Sequence, residues 1–234
     1  MATYVLIPGA GSDSWYWHLV APRLVDAGHD VVAVDLPCDD DAAGLAEYRE
    51  AVVDVVGDRR DLILVAQSMG GMTAPLVCDR LPVDLMILVA AMVPSPGETP
   101  GDWWANTGHA EARREAAQRE GWGSGRDDDL ATTFFHDVPS DIAAEAMVRG
   151  RQQSATPFRK PWPLPAWPAV PTEFLLCRQD RMFPAEFQRR VVKDRLGIVA
   201  DEMDGGHLPA LARPDELAAR ILSYGPSGRG QRSN

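Results

Sequence analysis

The chain has 234 residues, of which 45% are apolar and 24% charged, with a formal net charge of −11. That length suits one domain with a sizeable core and perhaps an insertion, and the acidic balance argues against a nucleic-acid or anionic-membrane surface. Three dispersed cysteines (Cys38, Cys78 and Cys177), an N-terminus without a basic leader and no apolar run of membrane-spanning length point to a reducing, cytoplasmic setting.

In chain order, "TYVLIP" (3–8) reads as a strand, and "SWYWHLVAPRLVDAG" (14–28) as a helix ending at Gly28, with Pro22 dented into its pattern. The β-branched "DVVAVD" (30–35) is a strand and "GLAEYREAVVDVVG" (44–57) has helical spacing. "DLILVA" (61–66) is a strand, "MGGMTAPLVCDRL" (69–81) a helix and "DLMILVAAMV" (84–93) a further strand. Later come a strand at 172–178, a Pro-started helix at 184–196, a strand at 197–203 and a last helix at 214–223. This β-α-β-α rhythm predicts a parallel sheet with helices on both faces.

Residues 95–170 interrupt the rhythm. They hold Trp103, Trp104, Trp122, Trp162 and Trp167, the helix-like pieces "HAEARREAAQRE" and "SDIAAEAMVRGRQ", and a proline-rich return. So long an insertion between strands reads as a lid. The expected organisation is a core of 1–94 with 171–224, a cap of 95–170 and a disordered tail of 225–234. The acidic runs at 39–41 and 127–129 read as solvated loops, since neither has the spacing of a calcium loop.

"LILVAQSMGGM" sets Ser68 just past a buried strand, before a helix, with Ala66 and Gly70 as its small flanking residues. The pattern is a variant of G-x-S-x-G, with Ala for the first Gly. A sharp strand-to-helix turn of this kind exposes the serine Oγ, and the Met69 N–H at the helix start can meet a developing oxyanion. A serine needs a base and an orienting acid, and behind a strand–serine–helix elbow of this kind the chain order is Ser, then Asp or Glu, then His. Of five histidines, only His207 follows the last predicted strand, behind two glycines that permit a tight return. His18, His29 and His109 read as ordinary satisfied histidines, whereas His136 in "FFHDVP" is a candidate pocket residue. Asp180, just past the 172–178 strand, is the candidate acid. Asp204 lies too near His207 and belongs to its turn, and nothing acidic precedes Glu98 after the 84–93 strand.

The loop "PGAGSDSW" (8–15) admits a rival reading as a dinucleotide-binding turn, with Asp35 at the ribose. The third glycine is missing, because position 14 is Ser, and three aromatic residues crowd the helix start. That reading also leaves Ser68, Asp180 and His207 without a role.

The segments "VLIPGAGSDSWYW", "DAGHDVVAVDLP", "AQSMGG", "FFHDVP", "CRQDRMFP" and "DGGHLPALARPDELA" together resemble the α/β-hydrolase superfamily. Within it the chain is similar to the lidded branch of methyl-salicylate-type esterases, hydroxynitrile lyases and their bacterial relatives. The resemblance implies the α/β-hydrolase fold: a mostly parallel sheet, helices on both faces and an inserted helical cap. It implies Ser68 as nucleophile, His207 as base, Asp180 as acid, and Ala10 and Met69 as backbone oxyanion donors. Two departures stand out: Pro8-Gly9 replaces the family's His-Gly, and Ala66 replaces the first elbow glycine. The lyases of this branch carry a threonine where this chain has Gly9 and a lysine where it has Leu208. An apolar Leu208 suits an ester's hydrocarbon part rather than a departing cyanide.

The expected function is hydrolysis of a small apolar or aromatic carboxylic ester through an acyl-enzyme. Trp104, His136 and Leu208 are the candidate pocket residues, and most of the other tryptophans are cap core. No metal or organic cofactor is expected. The expected partner is a small molecule, with neither nucleic acid nor membrane, and a homodimer is compatible with that. A non-hydrolytic reaction on the same scaffold (cyclisation, lyase chemistry or cofactor-free oxidation) and a receptor-like binding role stay open.

Overall fold

Apolar residues alternate in and out along each central strand, and this alternation divides the interior in two. The computed structural model describes residues 1–123 and 130–225. Six strands form one parallel sheet in the order β2-β1-β3-β4-β5-β6. They are β1 (Thr3–Ile7), β2 (Asp30–Ala33), β3 (Leu62–Gln67), β4 (Val83–Val89), β5 (Thr172–Cys177) and β6 (Asp201–Met203). Val5, Ile7, Leu64, Ala66, Met86 and Leu88 face one core, whereas Tyr4, Leu6, Ile63, Val65, Ile87 and Val89 face the other. A sheet buried on both faces needs helices on both faces. The helices α2 (Leu45–Val56), α3 (Gly70–Val77) and α8 (Ala185–Leu196) cover the first face. The second is covered by α1 (Ala21–Asp26) and α10 (Pro214–Tyr224). This is the predicted α/β-hydrolase architecture.

Strand order fixes where a site can form. From β1 the chain crosses to β2 on one side, then returns to β3 on the other. The loops after β1 and β3 therefore leave in opposite directions and open a crevice at the strands' carboxyl ends. In register, Ile7 pairs with Ala66, which brings the loop at 8–11 beside Ser68.

Several expected boundaries move: the helix expected over 69–81 ends at Val77 and the strand expected over 30–35 at Ala33. The helix expected over 14–28 splits into a 3-10 turn at Ser14–Trp17, whose first amides Asp13 caps, and α1, with Pro22 in its first turn. Pro22 lacks an N–H, so it starts a helix rather than continuing one. The strand expected over 197–203 shortens to β6, because Gly197 adopts a left-handed cap that ends α8. The strand expected to reach residue 93 stops at Val89, where Ala90 turns to φ +44°.

Between β4 and β5 lie α4 (Trp103–Asn106), α5 (His109–Glu120), α6 (Leu130–Phe134), α7 (Ser140–Arg149), the 3-10 turn Thr156–Phe158 and an irregular return. Buried indoles tie this segment to the core: Trp103 Nε1 donates to the Val93 carbonyl at 2.9 Å and Trp162 Nε1 to the Met72 carbonyl at 3.1 Å. The short α9 (Pro209–Ala212) precedes α10. The expected acidic loop at 127–129 and all but the first residue of the expected tail lie outside the described residues.

Candidate active site

Ser68 sits at φ +52° between β3 and α3. A non-glycine residue in that region costs about 1–3 kcal/mol unless its surroundings impose it. Here they do. The Ser68 amide donates to Val89, and its carbonyl accepts from Gly71 and Met92. A Cβ on Gly70 would lie 2.9 Å from the Pro8 carbonyl oxygen, and one on Gly71 would collide with the Met92 carbonyl. The elbow is thus wedged between the ends of β1 and β4, and glycine is required where the helix backbone passes them.

His207 lies in the loop between β6 and α9. Its Nε2 is 3.0 Å from Ser68 Oγ, and its Nδ1 is 2.8 Å from Asp180 Oδ2. Asp180 and His207 are 3% and 2% exposed, so their contact is sheltered from water's screening. Asp180 follows β5, and its second oxygen, Oδ1, accepts from the Met182 and Phe183 amides at 2.8 Å each. Gln188 of α8 adds a 3.4 Å contact to Oδ2. The structure thus brings Ser68, His207 and Asp180, from three loops distant in sequence, into one unbroken hydrogen-bonded line.

Asp204 is exposed and pairs with Arg178 in the turn, and Glu98 pairs with Arg195. Neither contacts His207. His109 is a satisfied core histidine: its Nε2 bonds the Met182 carbonyl at 2.7 Å, and burial pushes its imidazole below the usual value. His18 bonds the Trp15 carbonyl and His29 accepts from the Ala2 amide.

A cavity of about 370 Å³ opens over Ser68 and His207. Ala10 and Met69 line it, and among the described residues neither backbone N–H has a partner. Free N–H groups beside a serine oxygen are what an oxyanion requires. Trp104 and Leu208 line the wall. His136 does not. Its ring turns away toward the loop that carries His207, where a Cβ on Gly206 would lie 2.7 Å from Nε2, and burial pushes its imidazole below the usual value.

Sequence reading missed several supporting groups. Gln67 Nε2 donates to the His207 carbonyl at 2.9 Å, and Phe134 and Phe183 meet the His207 ring edge-on at 5.4 and 5.0 Å. Gln67 precedes Ser68 and was visible as a polar residue closing an apolar strand. The two phenylalanines gave no separate signal. Among the described residues, no cluster of three His, Cys, Asp or Glu side chains could hold a metal ion, and no helix is long and apolar enough to cross a membrane.

The Alpha/beta hydrolase family model matches residues 4–220. Methylesterase 3 of Arabidopsis thaliana is 25% identical, over 93% of this chain and 94% of its own length. Salicylic acid-binding protein 2 of Nicotiana tabacum is 26% identical, over 94% of this chain and 95% of its own. A solved pyrethroid hydrolase from Sphingobium faniae JZ-2 has the same fold, with a TM-score of 0.76, 24% identity, and 95% and 96% of the two chains covered. With its sheet order, its elbow and a family match over almost its whole length, the chain belongs to the alpha/beta hydrolase family.

Proposed function

We propose that this esterase-type hydrolase cleaves a small apolar or aromatic carboxylic ester by two-step acyl transfer. The observation that carries the reading is the line Asp180–His207–Ser68, with contacts of 2.8 and 3.0 Å, ending beneath two unpartnered N–H groups. Asp180 fixes the tautomer with the proton on Nδ1, which leaves Nε2 free to take the Ser68 proton. Ser68 Oγ attacks the ester carbonyl, and the Ala10 and Met69 N–H groups hold the tetrahedral oxyanion. His207 then returns the proton to the departing alcohol. Water, deprotonated by His207, releases the acid and restores Ser68. An oxyanion donor is worth about 2.7–4 kcal/mol where one has been removed.

The substrate class follows from the walls. Trp104, Phe134, Phe158, Met182 and Leu208 surround the candidate reacting atoms. Flat and branched apolar walls favour flat apolar ligands. The mechanism calls for no metal or organic cofactor. A cytoplasmic location is part of the proposal: the three cysteines are free, as a reducing compartment would keep them.

The test is labelling with a fluorophosphonate probe, mapped by mass spectrometry, beside Ser68→Ala. Modification of Ser68 in the parent and loss of both labelling and ester hydrolysis in the variant are expected. An unlabelled parent, or a variant that keeps its rate, overturns the acyl-enzyme.

A further inference from the structure

The segment "FFHDVP" lines the cavity with Phe134 and Phe135 and then passes on to the loop that carries His207. It lies between α6 and α7, and its Asp137 meets the loop carrying His207. The Gly206 amide donates to Asp137 Oδ2 at 2.6 Å. A Cβ on Gly206 would lie 2.6 Å from Asp137 Oδ1 and 2.7 Å from His136 Nε2, so the loop backbone is pressed directly against these two side chains. Both of those atoms are buried and make no hydrogen bond of their own. Such atoms are costly to leave unmatched, and they stay here because the loop closes over them.

From the other side, Gln67 holds the carbonyl of His207. The backbone is therefore gripped immediately before the imidazole by Asp137 and immediately after it by Gln67. The grip is needed. Gly205 sits at φ +121°, and two consecutive glycines leave the chain freer than any other pair. Gln179 holds both the amide and the carbonyl of Gly205, and the Gly206 amide, bonded to the Asp137 carboxylate by a charge-assisted bond, shorter and stronger than a neutral one, is fixed where the imidazole must be aimed. A misplacement of about 1 Å at a reacting group costs on the order of a hundredfold in rate.

We propose that Asp137 is a positioning residue: it fixes the Gly206 amide and so aims His207 at Ser68. This rests on the acyl-transfer reading given above. Because Asp137 belongs to the segment between β4 and β5, the same contact ties the wall over the cavity to the base beneath it. A displaced wall would release His207 from its aim.

Asp137→Asn keeps an oxygen facing the Gly206 amide, and Asp137→Ala removes it. Both are compared with the parent for kcat and KM on a neutral aryl ester, for the rate of fluorophosphonate labelling, and by proton NMR of the His207 Nδ1 proton. In Asp137→Ala, kcat and the labelling rate fall by about ten- to a hundredfold, KM stays within about twofold, and the downfield Nδ1 signal broadens. Asp137→Asn stays within about threefold of the parent and keeps the signal. A parent-like Asp137→Ala, an Asp137→Asn as slow as Asp137→Ala, or a loss confined to KM overturns the proposal. If Asp137→Ala does not fold, Gly206→Ala decides, because its methyl group parts amide and carboxylate. The same drop in kcat at constant KM is expected there, and a parent-like rate overturns the proposal. Parent labelling at Ser68 separates the two ideas: its absence defeats the acyl-enzyme reading, and its presence with unaffected variants defeats only the role of Asp137.

Discussion

Asp180 illustrates how much one side chain's bonds can dictate. Its Oδ1 takes two backbone amides, so only an acceptor can stand there. In Asp180→Asn the oxygen must keep that place, and the amide NH₂ then faces His207 Nδ1. His207 would have to accept at Nδ1 and carry its proton on Nε2, pointing a donor at Ser68 where an acceptor is needed. The variant should therefore fold, yet lose roughly 10⁴-fold in kcat, the scale known for this change in a serine protease. A melting temperature beside an ester-hydrolysis rate checks both halves. A rate within tenfold of the parent would remove Asp180 from the orienting role. At this scale the sequence was informative, because Ser68, Asp180 and His207 each sat at a recognisable junction of strand and loop. The partners of Gln67 and Asp137 were hidden, since each side chain bonds a backbone group contributed by a loop far away in sequence, and no spacing encodes such a meeting. His136 drew a pocket reading, but it packs with Asp137 against Gly206 instead of lining the cavity.

Elements rich in strong helix formers were the most readable: α5 spans His109–Glu120 as expected, and α8 begins one residue into its expected range, after Pro184. The chain between β4 and β5 was legible as an insertion but not in its attachments. One attachment is ionic. Glu98, before α4, pairs with Arg195 of α8 at 2.6 Å, with side chains only 6% and 13% exposed. Arg195 also holds the Val93 carbonyl, and Glu98 accepts from Asn106 and the Ser95 amide. Burial alone would raise the Glu98 carboxyl, but Arg195 and these donors outweigh it and lower it from the usual 4.5. A carboxylate whose folded value lies below its unfolded one contributes stability that is full above about pH 4.5 and is lost as the pH falls through the folded value. Melting temperature between pH 6 and pH 3 should thus fall more steeply in the parent than in Glu98→Gln. At pH 7 the variant should be weaker by about 3–5 kcal/mol, the cost of stranding a buried Arg195. Equal stability at pH 7 would mean that the tie between the insertion and α8 does not depend on this pair.

Across the whole molecule, charge and cavity agree on what should enter. The formal net charge is −11, and a field of that sign repels anions approaching from more than a few ångströms away. The cationic side chains on the cavity wall do not reverse it, because Arg149 pairs with Glu145 and Arg151 with Asp39. Most of the remaining wall is apolar or aromatic, so a carboxylate carried inside would surrender its hydration with no free cation among the described residues to receive it. A neutral aryl butyrate and an analogue ending in a carboxylate differ little in size and almost wholly in charge. At low salt the neutral ester should be favoured in kcat/KM by about tenfold or more. Raising salt from about 10 mM to about 500 mM shrinks the screening length from about 30 Å to a few ångströms. That should increase the rate on the anionic ester and leave the neutral one within about twofold. The part of the preference that salt abolishes belongs to the molecule's field, and the part that persists belongs to desolvation in the cavity. If the anionic ester were preferred at low salt, Arg149 or Arg151 would have to leave its carboxylate to bind substrate, and the substrate class would shift to esters of acids that keep a second charge.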